Sequence, residues 1–138
     1  MKLTKSHRSY FKAAKAMSEL SNYKQHHLGA VAVYGHKIIS SGYNSNRTNP
    51  TQKRLNACRF TEETPHTIHS ELACLLPLIG RRDIDFNRVQ LSIWRNHANG
   101  NPALARPCKS CMQLIKELGI RHIYYTNDGG YSHEEILY

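Results

Sequence analysis

The sequence has no apolar run long enough to cross a membrane, and its basic opening, MKLTKSHRSYFKAAKAM, lacks the uninterrupted apolar stretch of a signal peptide. These absences set the expectation of a cytoplasmic protein with no membrane partner. Cysteine is scarce as well. Four in 138 residues are too few for a disulfide scaffold, and a chain of this length buries a core without one. Internal repeats, low-complexity tracts and linker-like shifts of composition are missing, so one domain over residues 1–138 is expected. Acidic residues are outnumbered, ten Asp and Glu against nineteen Lys and Arg, for a formal charge of +9. Such an excess favours anionic partners because Lys and Arg displace counterions from phosphates; the bland alternative is a merely basic surface.

What is present is a succession of periodic segments. Over residues 6–22, Tyr10, Ala13, Ala14, Met17 and Leu20 recur at helical spacing and predict an amphipathic helix. Two β-rich runs, 28–34 and 37–43, flank Gly35-His36 and predict a tight hairpin. Residues 44–68 are polar, broken by two prolines, and read as a long loop. Arg47, Lys53, Arg54 and Arg59 crowd this loop, as a solvated cluster or as phosphate contacts. HSELACLLPLI predicts a helix with Leu72, Leu75, Leu76 and Ile79 on one face and Pro77 ending or kinking it. RVQLSIWR reads as a buried strand, NHANGNPALARP as a second irregular loop, and CKSCMQLIKELG as a helix closed by a glycine cap. IRHIYYT is another strand, and NDGG turns into a short last one. Strands alternating with helices in the second half imply parallel crossovers and a mixed sheet covered by helices.

Cys108 and Cys111, at i and i+3, share a helical face in a first turn, where the positive end of the helix stabilises thiolates. Pro107 suits the entry, since the N–H it lacks has no intrahelical partner there. His69 and Glu71 also stand at a helix beginning, behind a loop. Side chains at i and i+2 diverge inside a helix, but at its tip both reach the space beyond. Two helix N-termini aimed at one point would supply an imidazole and two thiolates, three zinc ligands that leave a fourth tetrahedral position for water. Glu71, near the metal but not on it, would take the water's proton and pass it to a leaving group.

H-x-E followed by P-C-x-x-C is the signature of the zinc nucleobase deaminases, and HSE with PCKSC matches it letter for letter. The order helix, hairpin, H-x-E helix, strand, P-C-x-x-C helix, strand also resembles the cytidine deaminase-like fold over nearly the whole chain. That resemblance implies an α/β three-layer fold, with a mixed sheet of four to five strands and helices on both faces. It implies a Zn2+ cofactor held by His69, Cys108 and Cys111, with Glu71 catalytic. GYN resembles the segment where the superfamily sets an asparagine against the sugar, which makes Asn44 a substrate-binding residue. The backbone N–H of Ser70 becomes a donor to the base carbonyl. A homo-oligomer is expected.

The chain departs from the pattern where Ser70 replaces a common Ala, in the long NHANGNPALA connection, and in a tail shorter than that of polynucleotide and tRNA deaminases. Fold placement survives these departures and subfamily placement does not. The expected reaction is hydrolytic deamination of cytosine in a nucleotide of the deoxycytidylate or cytidine type. The alternative is cytosine or adenine within single-stranded DNA or RNA, including tRNA. A non-catalytic zinc-containing binding domain is a third reading, and Glu71 counts against it.

Other readings of the thiols compete. A thioredoxin-like dithiol places a proline later in the chain, yet all five prolines precede Cys108, and HSE stays unexplained. A structural zinc site would recruit Cys58, His66 or Cys74 as fourth ligand, although Cys74, between Ala73 and Leu75, suits a buried apolar role. His26, His27, His97, His122 and His133 read as solvated or locally hydrogen-bonded, with His97 near enough to the cysteines to touch substrate. Of Tyr124 and Tyr125, one is expected in the core and one at the surface.

Overall fold

Alternation along β1 (His27–Tyr34) decides the architecture. Ala30 and Ala32 belong to one buried cluster, Val31 and Val33 to another, so both faces of the sheet are covered. A computed structural model describes residues 3–23, 26–57, 67–97 and 99–137 of the chain. The valines pack with Tyr10, Phe11 and Ala14 of α1 (Lys5–Ser18) and with Trp94 and Tyr124. The alanines pack with Leu72 and Leu75 of α3 (Ser70–Leu75) and with Leu114 and Ile115 of α4 (Lys109–Leu118). The result is the expected three layers of helix, sheet and helix.

The sheet order is β2-β1-β3-β5-β6, with β2 (Lys37–Tyr43), β3 (Gln90–Asn96), β5 (His122–Asn127) and β6 (Gly130–Glu135). β3 and β5 run parallel across the α4 crossover, and the other pairs are antiparallel. The described residues hold six strands where four to five are expected. The extra one, β4 (Pro102–Ala103), pairs with β3 from inside the second loop and is too short to leave a periodic signal. Among the described residues no helix is long and apolar enough to cross a membrane.

Other boundaries move for local reasons. α1 stops at Ser18, and Leu20 beyond it is 59% exposed. Ser18 takes the buried place instead, its hydroxyl donating to the Lys15 carbonyl (2.6 Å) and accepting from Asn96 Nδ2 (2.8 Å). The first long loop contains a helix, α2 (Pro50–Asn56). Asn49 Oδ1 accepts from the N–H groups of Thr51 (2.9 Å) and Gln52 (3.2 Å), and Pro50 stands in the first turn. Cys58, Arg59 and His66 lie outside the described residues. α3 tightens at Pro77 into the 3-10 turn Leu76–Leu78, which leaves Ile79 42% exposed. Tyr124 and Tyr125 are both buried, one in each cluster, because neither face of β5 meets solvent.

Two glycines set the spacing of the layers. A Cβ on Gly29 would lie 2.0 Å from the Ala14 carbonyl oxygen, and one on Gly42 would lie 2.4 Å from the Cys74 backbone nitrogen. Gly42 therefore lets α3, which carries HSE, sit against β2. Gly42→Ala should push α3 off the sheet and cost about 3 kcal/mol of stability, at the upper end of ordinary overpacking. Urea unfolding measures this, and an unchanged midpoint would contradict the close contact.

Candidate active site

Two helix N-termini converge on one point. His69 is the N-cap of α3 and Cys108 the N-cap of α4; both have extended backbones, and neither side chain caps its own helix. His69 Nδ1 lies 3.4 Å from Cys108 Sγ and 3.3 Å from Cys111 Sγ. Tetrahedral zinc, with Zn–S of about 2.3 Å and Zn–N of about 2.0 Å, requires an N–S separation of about 3.5 Å. Both N–S separations thus match those of a tetrahedral zinc site, and all three donor atoms lie within 4.8 Å of one another. Cys74 is no fourth ligand: it is absent from this cluster and sits in the core, where burial pushes its thiol up to about 12.

Cys108 and Cys111 respond oppositely to their shared setting. A hydrogen bond from Cys111 brings Cys108 down to about 3, with His69 adding to the shift against the opposing cost of burial. Cys111, as donor in that bond and fully buried, is raised. The pair therefore presents one ready thiolate, the form that binds zinc. Glu71 is 3% exposed and accepts from the Ser70 hydroxyl. Burial, then the neighbouring Cys108 charge, raises its carboxyl above the ordinary range, as expected for a proton-transfer group.

α2 contributes to this geometry. The His69 backbone N–H donates to Gln52 Oε1 (3.1 Å), and Gln52 Nε2 donates to Asn56 Oδ1 (2.9 Å), with Gln52 fully buried. The backbone that carries the His69 imidazole is thus tied to a helix that reads as loop. The Asn49-Pro50 pair, a cap followed by a helix-entry proline, is the signal that could have found it.

A pocket of about 360 Å³ opens over the cluster, and His69, Ser70, Glu71, Cys108 and Asn44 all line it. Cys111 lies behind this wall, buried. Asn44 is largely committed already: its Oδ1 accepts from the Leu28 N–H (2.9 Å) and its Nδ2 donates to the His26 carbonyl (2.9 Å). Sequence reasoning missed His26, Arg95 and Arg106, which also line the pocket. Burial, then the charges of Arg95 and His69, lowers the His26 imidazole. Arg47, Lys53 and Arg54 are not on its walls, and Arg54 faces Glu117 instead, at 3.6 Å. His97 is absent too, held by Asp128 at 2.8 Å.

The sequence matches the family model described as the cytidine and deoxycytidylate deaminase zinc-binding region over residues 4–127. No curated protein matches the chain. Among solved structures, it is similar to the dCMP deaminase of cyanophage S-TIM5 in apo form, at 23% identity, 94% coverage of this chain and 87% of that one, with a TM-score of 0.63. The same phage enzyme in complex with dCMP and dUMP aligns at 20% identity over 91% of this chain and 83% of that one, TM-score 0.61. A cytidine deaminase from Burkholderia pseudomallei aligns at 18% identity over 96% and 93%, TM-score 0.65. At these identities the likeness is one of fold, and the fold is the one the sequence pattern implies.

Proposed function

Because the chain belongs to the cytidine and deoxycytidylate deaminase zinc-binding family, we propose that it hydrolytically deaminates the cytosine of a nucleotide, of the deoxycytidylate or cytidine type. The observation that carries this reading is the buried carboxylate of Glu71 beside a three-donor cluster on the floor of a pocket. His69, Cys108 and Cys111 would hold a zinc ion, which would supply Lewis-acid activation of a water. Glu71 takes a proton from that water and delivers protons to the ring nitrogen and the departing amine, so that water and cytosine become uracil and ammonia. The Ser70 N–H, at the tip of α3, donates to the base carbonyl. Asn44, already fixed by Leu28 and His26, offers its remaining N–H and lone pair to the sugar. Residues 1–138 act as one deaminase domain.

The +9 charge favours a second reading, in which the base belongs to a single-stranded polynucleotide and enters the pocket unstacked. Competition separates the two. A nucleotide enzyme converts deoxycytidylate with weak interference from excess single-stranded oligonucleotide, and the interference fades with salt as non-specific binding does. Conversion of cytosines within an oligonucleotide, with saturating cytidine and deoxycytidine monophosphates left untouched, would end the nucleotide reading.

A further inference from the structure

Two guanidinium groups line the pocket, and their surroundings differ. Arg106 is matched. Its Nε and Nη2 donate to the two oxygens of Glu134 at 2.7 and 3.1 Å, and Glu134 Oε2 accepts from the Tyr125 hydroxyl at 2.7 Å. This fork fixes Arg106 in place and balances its charge. Arg95 has no such partner: none of the ion pairs among the described residues involves it. Its Nη1 donates to the Leu104 carbonyl at 3.2 Å, and its Nε is buried without a hydrogen-bond partner among the described residues. A guanidinium carries five donors, and enclosure without a counter-charge is costly. Among the described residues, Arg95 is the cation of this pocket that lacks an anion.

Its backbone is well anchored. The Arg95 N–H donates to Thr126 Oγ1 (3.1 Å), whose hydroxyl donates to the Ala103 carbonyl (2.6 Å), so β3, β4 and β5 fix the position together. Arg95 also pairs in register with Leu28, another pocket wall, and strand alternation places it on the same face as Leu91 and Ile93.

We propose that Arg95 is the anion anchor of this pocket, takes the monophosphate of a nucleotide substrate, and so sets selectivity for phosphorylated over unphosphorylated cytosine nucleosides. The proposal rests on the cytosine-nucleotide reading of the site. A strand phosphate presents similar oxygens, but the observations favour a free nucleotide. The cavity suits one small ligand, Arg95 lines it, and the described basic residues of the 44–68 loop, the candidates for tracking a strand, are off its walls. Arg106, already balanced by Glu134, shapes the wall and adds no net charge.

The test is the ratio of kcat/KM for deoxycytidylate to that for deoxycytidine in the zinc-loaded enzyme. Charge-assisted hydrogen bonds set the expected change: Arg95→Gln should lower the ratio roughly 30-fold, and Arg95→Lys should restore part of it as a point charge. Arg106→Gln should affect both substrates alike. A ratio unchanged in a folded, zinc-replete Arg95→Gln enzyme overturns the proposal, as does a wild type with no preference for the phosphorylated substrate. Calorimetric titration with deoxyuridylate and deoxyuridine repeats the comparison without turnover. If wild type deaminates no cytosine nucleotide yet binds deoxyuridylate more tightly than deoxyuridine, and Arg95→Lys weakens that preference, the anchor stands and the reaction assignment falls. Equal binding of the two probes by wild type overturns the anchor itself.

Discussion

Exchanging Glu71 for Gln should lower turnover of the best cytosine substrate by at least ~10²–10⁴-fold, the usual contribution of a positioned acid–base group, while zinc content stays near wild type. The exchange is close to isosteric at a side chain only 3% exposed, so it leaves packing largely unchanged. The new amide can still pair with the Ser70 hydroxyl that contacts Glu71 now. What it cannot do is take a proton from water. Burial and the Cys108 charge raise the Glu71 carboxyl, which brings its basicity closer to working pH than that of an exposed carboxylate. A structural glutamate would behave differently: its loss would show in melting and metal content, with the rate per folded, zinc-loaded molecule preserved. Near-normal rates in the metal-replete variant would therefore end the proposed mechanism.

The parts of the fold that were legible are those specified by local chemistry. The hairpin turns where Gly35-His36 predicts it, and both residues adopt positive φ, 58° and 63°. α4 ends at Gly119 with φ of 90°, as its glycine cap requires. The apolar faces of β1 and β5 were harder. A run of buried residues does not reveal whether one or both sides are covered, so one of Tyr124 and Tyr125 is expected at the surface although both are in the core. α2 was hidden because its buried polar residues, Gln52 and Asn56, read as loop composition, although they hold His69. Leu20 is expected on the buried face, but Ser18 is buried instead, since a hydroxyl with two partners satisfies its hydrogen bonds away from water.

The chemical floor of the site was more legible than its walls. His69, Glu71, Cys108 and Cys111 lie at helix entries, where spacing along the chain translates directly into spacing in space. His26, Arg95 and Arg106 come from segments whose relative placement depends on strand register and on the β4 pairing, and neither is written in any short stretch of sequence. Position relative to motif was still informative for Arg106, which directly precedes Pro107 and Cys108. Arg95 needed the sheet.

Purified protein should carry about one zinc per chain, and Cys108→Ala or Cys111→Ala should remove it, because two remaining donors cannot hold zinc against solvent. The distances already match a tetrahedral site, so little reorganisation offsets the binding energy. That energy also stabilises the folded chain: the site joins the starts of α3 and α4, which come from distant parts of the sequence. Each variant should therefore melt below the zinc-loaded wild type, and chelator should lower wild type toward the same temperature while leaving the variants nearly unmoved. Cys74→Ala separates metal loss from cysteine loss. Its thiol lies in the core, away from the cluster, so this variant should lose some packing stability yet keep its zinc and its response to chelator. Metal analysis alongside the melts decides the matter. Active wild-type protein free of zinc, or a zinc-replete Cys111→Ala protein, would remove the metal from the proposed site and with it the reason for two thiols at the mouth of one helix.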